Sequence, residues 1–151
     1  MLQSTIDHIS QFHPKAREPF TNFINDAEKA LGITLVIVQG LRTFAQQQAI
    51  YEQGRTTPGP IVTHAKAGQS WHCYGLAVDA CPYKADGKTL DWNYDFKKLE
   101  PFALKYSINW GGHFSSPDDD HFEIKFGHIW QELYAKYEAK DFIPGTHYVN
   151  L

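Results

Sequence analysis

The sequence has little of what would place it in several large classes of protein. Only two of its 151 residues are cysteine, Cys73 and Cys81, and two are too few for a disulfide scaffold. We expect free thiols there, with a local disulfide or metal ligation as the alternatives. The strongest apolar run, around residues 35–38, is far shorter than the about 20 residues that span a bilayer. Residues 1–8 also lack the basic and apolar regions of a secretory signal peptide.

The sequence also has no excess of positive charge. It contains 14 Lys and Arg against 17 Asp and Glu, for a formal net charge of −3. Proteins that bind nucleic acid normally carry a basic excess or patch, so we expect neither a nucleic-acid partner nor membrane insertion. Hydrophobic residues make up 42% of the chain and charged residues 21%, a balance that permits a packed core. We therefore expect a globular protein made in the cytoplasm.

Hydrophobic periodicity and capping residues predict helices and strands in segregated order along the chain. Pro14 and Gly32 stand where the first and last positions of a helix favour them, and Thr43 is a suitable helix cap. This order is typical of an α+β fold, and no linker divides residues 1–151, so we expect a single domain. The predicted helices cover residues 14–32, 43–54, 94–106 and 127–139, and the predicted strands cover residues 33–38, 76–80 and 121–125.

Among the residues that are present, histidine is unusually frequent, with eight in the chain. Five of them lack any neighbouring residue that suggests chemistry, and we expect these five at the surface: His8, His13, His64, His128 and His147. Residues 55–70 form a long segment punctuated by proline and glycine, and loops of this length often carry function.

The first group with chemical potential is His72 and Asp79, which flank Gly75. Asp79 interrupts a strand otherwise made of Leu, Ala and Val, and a charged side chain that faces inward there needs a partner. A bend at Gly75 would bring the imidazole and the carboxylate together, and both are zinc ligands. The alternative is a buried Asp79 bonded to backbone or to arginine, with His72 unrelated to it.

The second group is Asp118 and His121, where an acidic loop enters a short apolar strand. Two histidines and one carboxylate would leave a zinc ion an open coordination position, which is the catalytic pattern. A turn would direct Asp118 towards that position, where a carboxylate can take a proton from metal-bound water. Asp120 is a poorer base because an extended chain points it away from the face of His121. The alternative for the acidic residues is a solvated or calcium-like loop.

Taken together, these motifs resemble a known family of zinc peptidases. The family includes D-alanyl-D-alanine carboxypeptidases of the vancomycin-resistance (VanY) type, and this sequence is most similar to the small L-alanyl-D-glutamate peptidases of phage endolysins. The resemblance spans roughly residues 33–124. It rests on Ser70-x-His72-x-x-Gly75-x-Ala77-x-Asp79 and Asp118-x-x-His121, together with Gly40-Leu41-Arg42-Thr43, Gln47, residues 51–56, residues 58–63 and Trp110-Gly111-Gly112.

The resemblance implies a fold and a set of site residues. The fold is a central antiparallel sheet flanked by helices, as in hedgehog and DD-peptidase domains. One zinc ion per chain would be held by His72, Asp79 and His121. Asp118 would be the general base, and Arg42 would orient the substrate and stabilise the oxyanion.

Further residues are candidates for substrate binding. Gln47 and Ser70 would support the site, and three aromatic residues are candidate cleft walls or, alternatively, core residues: Trp71, Tyr74 and Trp110. Two positions depart from the family pattern, because Cys73 stands where asparagine is common and His113 stands where aspartate is common. His113 is either a cleft residue or simply exposed. A closed metal site of His72, Cys73 and Cys81 is a rival arrangement.

The function implied by the resemblance is hydrolysis of the L-alanyl-D-glutamate bond in peptidoglycan stem peptides, by an Asp-activated zinc water that attacks the peptide carbonyl. The alternatives are a D-alanyl-D-alanine carboxypeptidase and a non-catalytic, zinc-stabilised domain that binds cell wall. We expect a monomer without a separate wall-binding domain. Action in the periplasm or cell wall would then require a holin, a lytic event or an export system for delivery.

Overall fold

The fold combines five α-helices with one four-stranded sheet. The structure is a computed structural model that describes all 151 residues. The helices are α1 (Gln3–Ser10), α2 (Pro14–Leu31), α3 (Phe44–Glu52), α4 (Glu100–Leu104) and α5 (Trp130–Glu138), and the strands are β1 (Leu35–Gln39), β2 (Ala77–Pro82), β3 (Ile108–Trp110) and β4 (His121–Ile124). The expected α+β class is confirmed.

The sheet is antiparallel throughout and has the strand order β1-β2-β4-β3. Strands β2 and β4 are therefore the two central strands, although about 40 residues of chain separate them. Their register pairs Asp79 with His121 and Ala77 with Glu123. Side chains of directly paired residues lie on the same face of a sheet, so this register brings Asp79 and His121 together.

Helix α2 packs against this sheet because its apolar residues recur at helical spacing. Phe20, Phe23, Ile24 and Ala27 are fully buried, and the ring of Phe23 lies 5.0 Å from that of Phe122 on β4. Burial of one such phenylalanine contributes about 1.5–3 kcal/mol. The helix ends at Gly32 with φ of 64°, the left-handed conformation that glycine adopts without a side-chain clash.

Three elements of the structure differ from the prediction. Helix α1 is absent from the prediction, since Leu2 at its N-cap makes no side-chain cap and gives no sequence signal. The predicted helix over 94–106 is a 3-10 turn (Phe96–Leu99) followed by the short α4, because Pro101 lacks an N–H and fits only the first turn of a helix. Residues 108–110 form strand β3, which is also absent from the prediction.

The expectation of a surface position is wrong for His13, which is fully buried. Its Nε2 donates to the carbonyl of Val149 at 2.9 Å, and its Nδ1 accepts from the backbone N–H of Lys15 at 3.1 Å. Burial lowers the pKa of His13 below its ordinary value. The side chain therefore caps α2 as a neutral imidazole with both nitrogens occupied.

The two cysteines are free, as the sequence predicts, and both are buried. Burial raises the pKa of Cys81 to about 11 and also raises that of Cys73. Thiols with raised pKa values carry little thiolate at neutral pH and react slowly. No helix of the protein combines the length and the apolar character needed to cross a membrane.

Candidate active site

His72 is placed by a short, well-defined turn of chain. The Oγ of Ser70 accepts from the backbone N–H of His72 at 3.3 Å and caps a 3-10 helix, Trp71–Tyr74. Gly75 then reverses the chain with φ of 69°. A Cβ at Gly75 would lie 2.6 Å from the backbone nitrogen of His13, so no other residue fits there without displacement. The predicted bend between His72 and Asp79 is confirmed.

Three side chains converge at the edge of this turn and the two central strands. The Nε2 of His72 lies 3.1 Å from Oδ1 of Asp79, and the Nδ1 of His121 lies 3.0 Å from the same oxygen. The two imidazole nitrogens are 3.3 Å apart. The structure thus brings together the three residues that the sequence predicts as metal ligands.

On the side that faces away from Asp79, each imidazole donates a hydrogen bond to an acceptor. His72 donates from Nδ1 to the carbonyl of Gly40 at 2.8 Å, and His121 donates from Nε2 to Oε2 of Glu123 at 2.9 Å. Carbonyl and carboxylate oxygens can only accept, so in each neutral ring the other nitrogen carries the free electron pair. Outer partners of this kind fix the tautomer of metal-binding histidines.

The residues fit a zinc ion in chemistry and in spacing. Zn²⁺ takes nitrogen and oxygen ligands at about 2.0–2.2 Å, for which neighbouring ligand atoms of a tetrahedron lie about 3.3 Å apart. The cluster also favours positive charge. Although burial opposes it, hydrogen bonds with Asp79 and Glu123 raise the pKa of His121 to about 10. Despite its own burial, the pKa of Asp79 lies far below its ordinary value because the imidazoles of His121 and His72 stand at hydrogen-bond distance from its carboxylate and stabilise the negative charge.

The three residues line a cleft of about 790 Å³. Asp118 also lines this cleft and is held by the turn that precedes β4. Its backbone N–H donates to the carbonyl of Gly111 at 3.0 Å, and its carbonyl accepts from the N–H of His121 at 3.3 Å. The turn that the sequence predicts between Asp118 and His121 is therefore present. Among the other predicted site residues, Arg42, Ser70 and Trp71 line the same cleft.

Arg42 is fixed in the cleft wall by several partners. Its guanidinium donates to Oε1 of Gln47 at 2.7 Å and lies 4.0 Å from Oδ2 of Asp79. Gln47 is fully buried and donates in turn to the carbonyl of Ala65 at 2.7 Å. Gln47 therefore supports Arg42 and the long 55–70 loop from beneath, without lining the cleft.

Besides Gln47, three residues predicted to bind substrate lie away from the cleft lining. Tyr74 is buried and donates to the carbonyl of Gly68 at 2.6 Å. Trp110 donates to the carbonyl of Asp119 at 2.6 Å. His113 is exposed and hydrogen-bonded to Glu100. The structure thus places Tyr74 in the core, as the alternative interpretation held, and His113 on the outer surface.

The rival metal site is not formed. The His72–Asp79–His121 cluster is the one group of three potential ligands in the protein, and neither Cys73 nor Cys81 belongs to it.

Asp120, which the sequence analysis considers a poorer base than Asp118, does not line the cleft. Burial and the neighbouring carboxylates of Asp79 and Asp118 raise the pKa of Asp120 to about 7.

Among the permanently charged residues of the cleft, sequence reasoning missed two, Glu123 and Lys125. Both line the cleft, and alternation along an extended strand places them on the face of His121. The signal was therefore present in the spacing of residues 121, 123 and 125. It also missed the exposed apolar rims of the cleft, which are Ile61, Val62 and Phe114.

Fold and site together define a class of protein: a small α+β domain with a mononuclear metal site of the open, catalytic type. Comparison with known families is consistent with that class. The family of VanY, D-alanyl-D-alanine carboxypeptidase, matches residues 9–123. The chain belongs to this VanY family.

Similar proteins agree with the assignment. The peptidoglycan L-alanyl-D-glutamate endopeptidase CwlK of Bacillus subtilis (strain 168) is 36% identical over 112 residues. The match covers 68% of this chain and 66% of CwlK, so it spans slightly less than two thirds of that relative.

Solved structures share the fold. The L-Ala D-Glu endopeptidase ChiX of Serratia marcescens superposes with a TM-score of 0.61 at 19% identity, over 83% of this chain and 90% of ChiX. A vancomycin resistance D,D-pentapeptidase VanY from a VanB-type resistance cassette, in complex with Zn(II), superposes with a TM-score of 0.56 at 18% identity, over 82% of this chain and 78% of that one.

Proposed function

We propose that the protein is a zinc-dependent peptidoglycan hydrolase that cleaves the L-alanyl-D-glutamate bond of the stem peptide. One observation carries the proposal. The potential ligand atoms of His72, Asp79 and His121 lie 3.0–3.3 Å apart on the wall of an open cleft. The nitrogen of each imidazole that faces away from the cluster is engaged by an acceptor, which leaves the nitrogen that faces the cluster as the one able to bind a metal.

The metal centre would consist of one zinc ion held by His72, Asp79 and His121. Three protein ligands are the number found in catalytic zinc sites. When bound, zinc supplies Lewis acidity: it polarises a carbonyl and lowers the pKa of a coordinated water to about 7. The negative charge of Asp79 and the hydrogen bond from His121 to Glu123 prepare the site for this cation.

Two further side chains have roles in the reaction. Asp118 takes the proton from the attacking water and later passes it to the leaving amine, which is general acid–base catalysis by one carboxylate. Arg42, fixed by Gln47 and near Asp79, donates to the oxygen on which negative charge develops. A donor held in place before the reaction needs no reorganisation when that charge appears.

The choice of bond is supported by two similar proteins. CwlK and ChiX are both named as endopeptidases of the L-alanyl-D-glutamate bond. The family as a whole carries the name of a D-alanyl-D-alanine carboxypeptidase, which favours carboxypeptidase activity as the second candidate. We also propose that residues 1–151 act as a single catalytic domain, as a monomer on peptidoglycan stem peptides at the cell wall.

The experiment is a digest of purified muropeptides, analysed by mass spectrometry. Wild type with zinc should generate a new D-glutamyl amino terminus, and a chelator should abolish cleavage until zinc is restored. Asp118→Asn should lower kcat by about 10²- to 10⁴-fold while zinc remains bound at full stoichiometry. His72→Ala should lose zinc and activity together. His147→Ala serves as the control, because His147 is exposed and lies outside the cleft.

Other outcomes separate the alternatives. Release of terminal D-alanine without a D-glutamyl amino terminus would identify a carboxypeptidase. Wall binding without turnover, in the zinc-loaded protein, would identify a non-catalytic domain. Full activity of Asp118→Asn would remove Asp118 from the mechanism, and full zinc content of His72→Ala would contradict the proposed ligand set.

A further inference from the structure

The cationic side chains of the cleft differ in their exposure to solvent and in how many of their hydrogen-bond donors already have partners within the protein. Two permanent cations line it, Arg42 and Lys125. The side chain of Arg42 is only 13% exposed, and its guanidinium donates to Gln47 and lies near Asp79. The side chain of Lys125 is 43% exposed. Lys125 is therefore the cation with donors still directed to solvent in the cleft.

Lys125 is also tied to the metal-ligand cluster through one carboxylate. Glu123 accepts from His121 with Oε2 at 2.9 Å, and its Oε1 lies 3.1 Å from Nζ of Lys125. The Lys125 Nζ lies 5.6 Å from the centre of the Trp71 ring, over its face. A flexible lysine held by a carboxylate and an aromatic face loses little further freedom when it binds a ligand. Its ammonium group thus has a defined position on the wall of the cleft that the metal-ligand cluster also lines.

The proposed substrate has a matching charge. D-Glutamate has two carboxyl groups, and only one of them can continue the peptide chain. Cleavage of its bond to L-alanine therefore places a free carboxylate a few bonds from the reacting carbon. Without a metal the carboxylates of the cleft outnumber its permanent cations, but a divalent ion reverses the balance. The metal-loaded cleft therefore suits an anionic substrate.

We propose that Lys125 binds the free carboxylate of the D-glutamyl residue and so determines specificity for an acidic residue on the leaving side of the bond. This inference rests on the proposed function and names a contact within it. A charge-assisted hydrogen bond is about twice as strong as a neutral one. Two of the three ammonium donors remain for the substrate while one stays on Glu123.

The test compares two synthetic peptides that differ only at the free carboxyl of the D-glutamyl residue. One peptide carries the carboxylate, and the other carries the carboxamide. Wild type should prefer the carboxylate. Lys125→Met should lower kcat/KM for the carboxylate peptide by about 10- to 100-fold and leave the carboxamide peptide almost unchanged. Lys125→Arg should retain most of the preference, and Lys125→Glu should reverse it.

The controls separate a substrate contact from a structural role. Lys88→Met removes an exposed lysine in a turn outside the cleft and should change neither rate. If Lys125→Met lowered both rates equally, or lowered the bound zinc, Lys125 would act through Glu123 and the specificity role would be overturned. An unchanged preference would overturn it as well and point to Arg42. If wild type cleaved neither peptide, the proposed function itself would fail, and this inference with it.

Discussion

Glu123 makes two contacts that connect the His72–Asp79–His121 cluster to the rest of the cleft. It is 5% exposed, accepts from Nε2 of His121 and pairs with Lys125. A carboxylate behind a histidine ligand makes the ring a stronger electron donor and fixes its orientation. In the proposed metal site, Glu123 would therefore contribute to metal affinity without touching the metal.

We expect Glu123→Gln to lower zinc affinity by about 10-fold and Glu123→Ala by about 100-fold, in the range typical of outer partners of metal ligands. Glutamine still accepts from His121 but brings no charge, whereas alanine leaves the buried N–H without a partner. Competition with a fluorescent zinc chelator measures both. Equal affinities for wild type and Glu123→Ala would show that Glu123 does not support the metal site. Glu132→Gln, on the exposed side of α5, is the control.

His13 makes stability depend on pH in a definite direction. Burial lowers its pKa in the folded state below the ordinary value of 6.5, so the unfolded chain binds a proton in a range where the folded protein does not. The free energy of unfolding therefore falls as pH decreases below about 6.5. Protonation of Nδ1 would also remove the acceptor for the backbone N–H of Lys15 at the start of α2.

The measurement is urea denaturation of wild type and His13→Asn at pH 7.5 and pH 5.5, both with saturating zinc. The variant should be less stable at pH 7.5 but should lose less stability on acidification than wild type does. The difference between the two proteins isolates His13 from other titrating groups. A parallel decrease in both proteins would rule His13 out as the cause.

At the scale of elements, Gly111 determines how closely β3 approaches the turn that carries Asp118. A Cβ at Gly111 would lie 2.5 Å from the backbone oxygen of Asp118 and 3.1 Å from the Cβ of His121. The backbone of that turn would have to move, because no flexible side chain is available to yield. The proposed base and the proposed ligand on β4 would move with it.

Gly111→Ala should therefore lower kcat/KM by about 100-fold, the loss that a displacement near 1 Å can cause, and destabilise the fold by about 1–3 kcal/mol. Hydrolysis assays and thermal unfolding measure the two effects. Gly145→Ala is the matched control, since a Cβ there meets no atom within 4 Å and the cost is confined to its positive φ. Wild-type activity in Gly111→Ala would show that the turn tolerates the shift.

The elements also show which parts of the fold and site the sequence can predict. Helix α2 was predictable because its apolar spacing and its Pro14 and Gly32 boundaries are local signals. The convergence of His72 and Asp79 was predictable because the two residues are only seven positions apart and Gly75 between them permits a bend. Strand β3 was not, because its three residues depend on pairing with β4 for their conformation.

The directions in which side chains point within a turn could not be predicted from the sequence. Trp71 and Tyr74 begin and end the same 3-10 helix, yet Trp71 lines the cleft and Tyr74 packs against Phe44. Trp110 turns towards the carbonyl of Asp119, a partner that depends on tertiary contacts. Burial of His13 likewise depends on Val149, which is 136 residues away along the chain. Such distant contacts leave no periodic pattern.

At the scale of the whole molecule, the proposed metal joins parts of the chain that are far apart. His72 and His121 are separated by 49 residues and belong to different elements. A ligand that binds only the folded state stabilises it by about 4 kcal/mol at a concentration 1,000-fold above its Kd. Each kcal/mol corresponds to about 2–4 °C for a protein of this size.

Removal of zinc with a chelator should therefore lower Tm by about 10 °C, and added zinc should restore it. Differential scanning calorimetry measures the shift at matched pH and ionic strength. His72→Ala should show no shift on chelation, because it lacks a complete site. An unchanged Tm of wild type after metal loss is verified would show that the site adds nothing to stability.

The burial of the three proposed ligands has a consequence for how a bound metal would be lost. The side chains of His72 and His121 are 4% and 9% exposed and that of Asp79 is 19% exposed, and what exposure they have opens into the cleft. The carbonyl of Gly40 and the side chain of Glu123 cover the far edges of the two imidazole rings. A metal ion would therefore leave by the same opening that admits the peptide. A bound peptide should therefore block release of the metal. Enzyme saturated with substrate should keep its zinc in the presence of a chelator that removes zinc from the free enzyme.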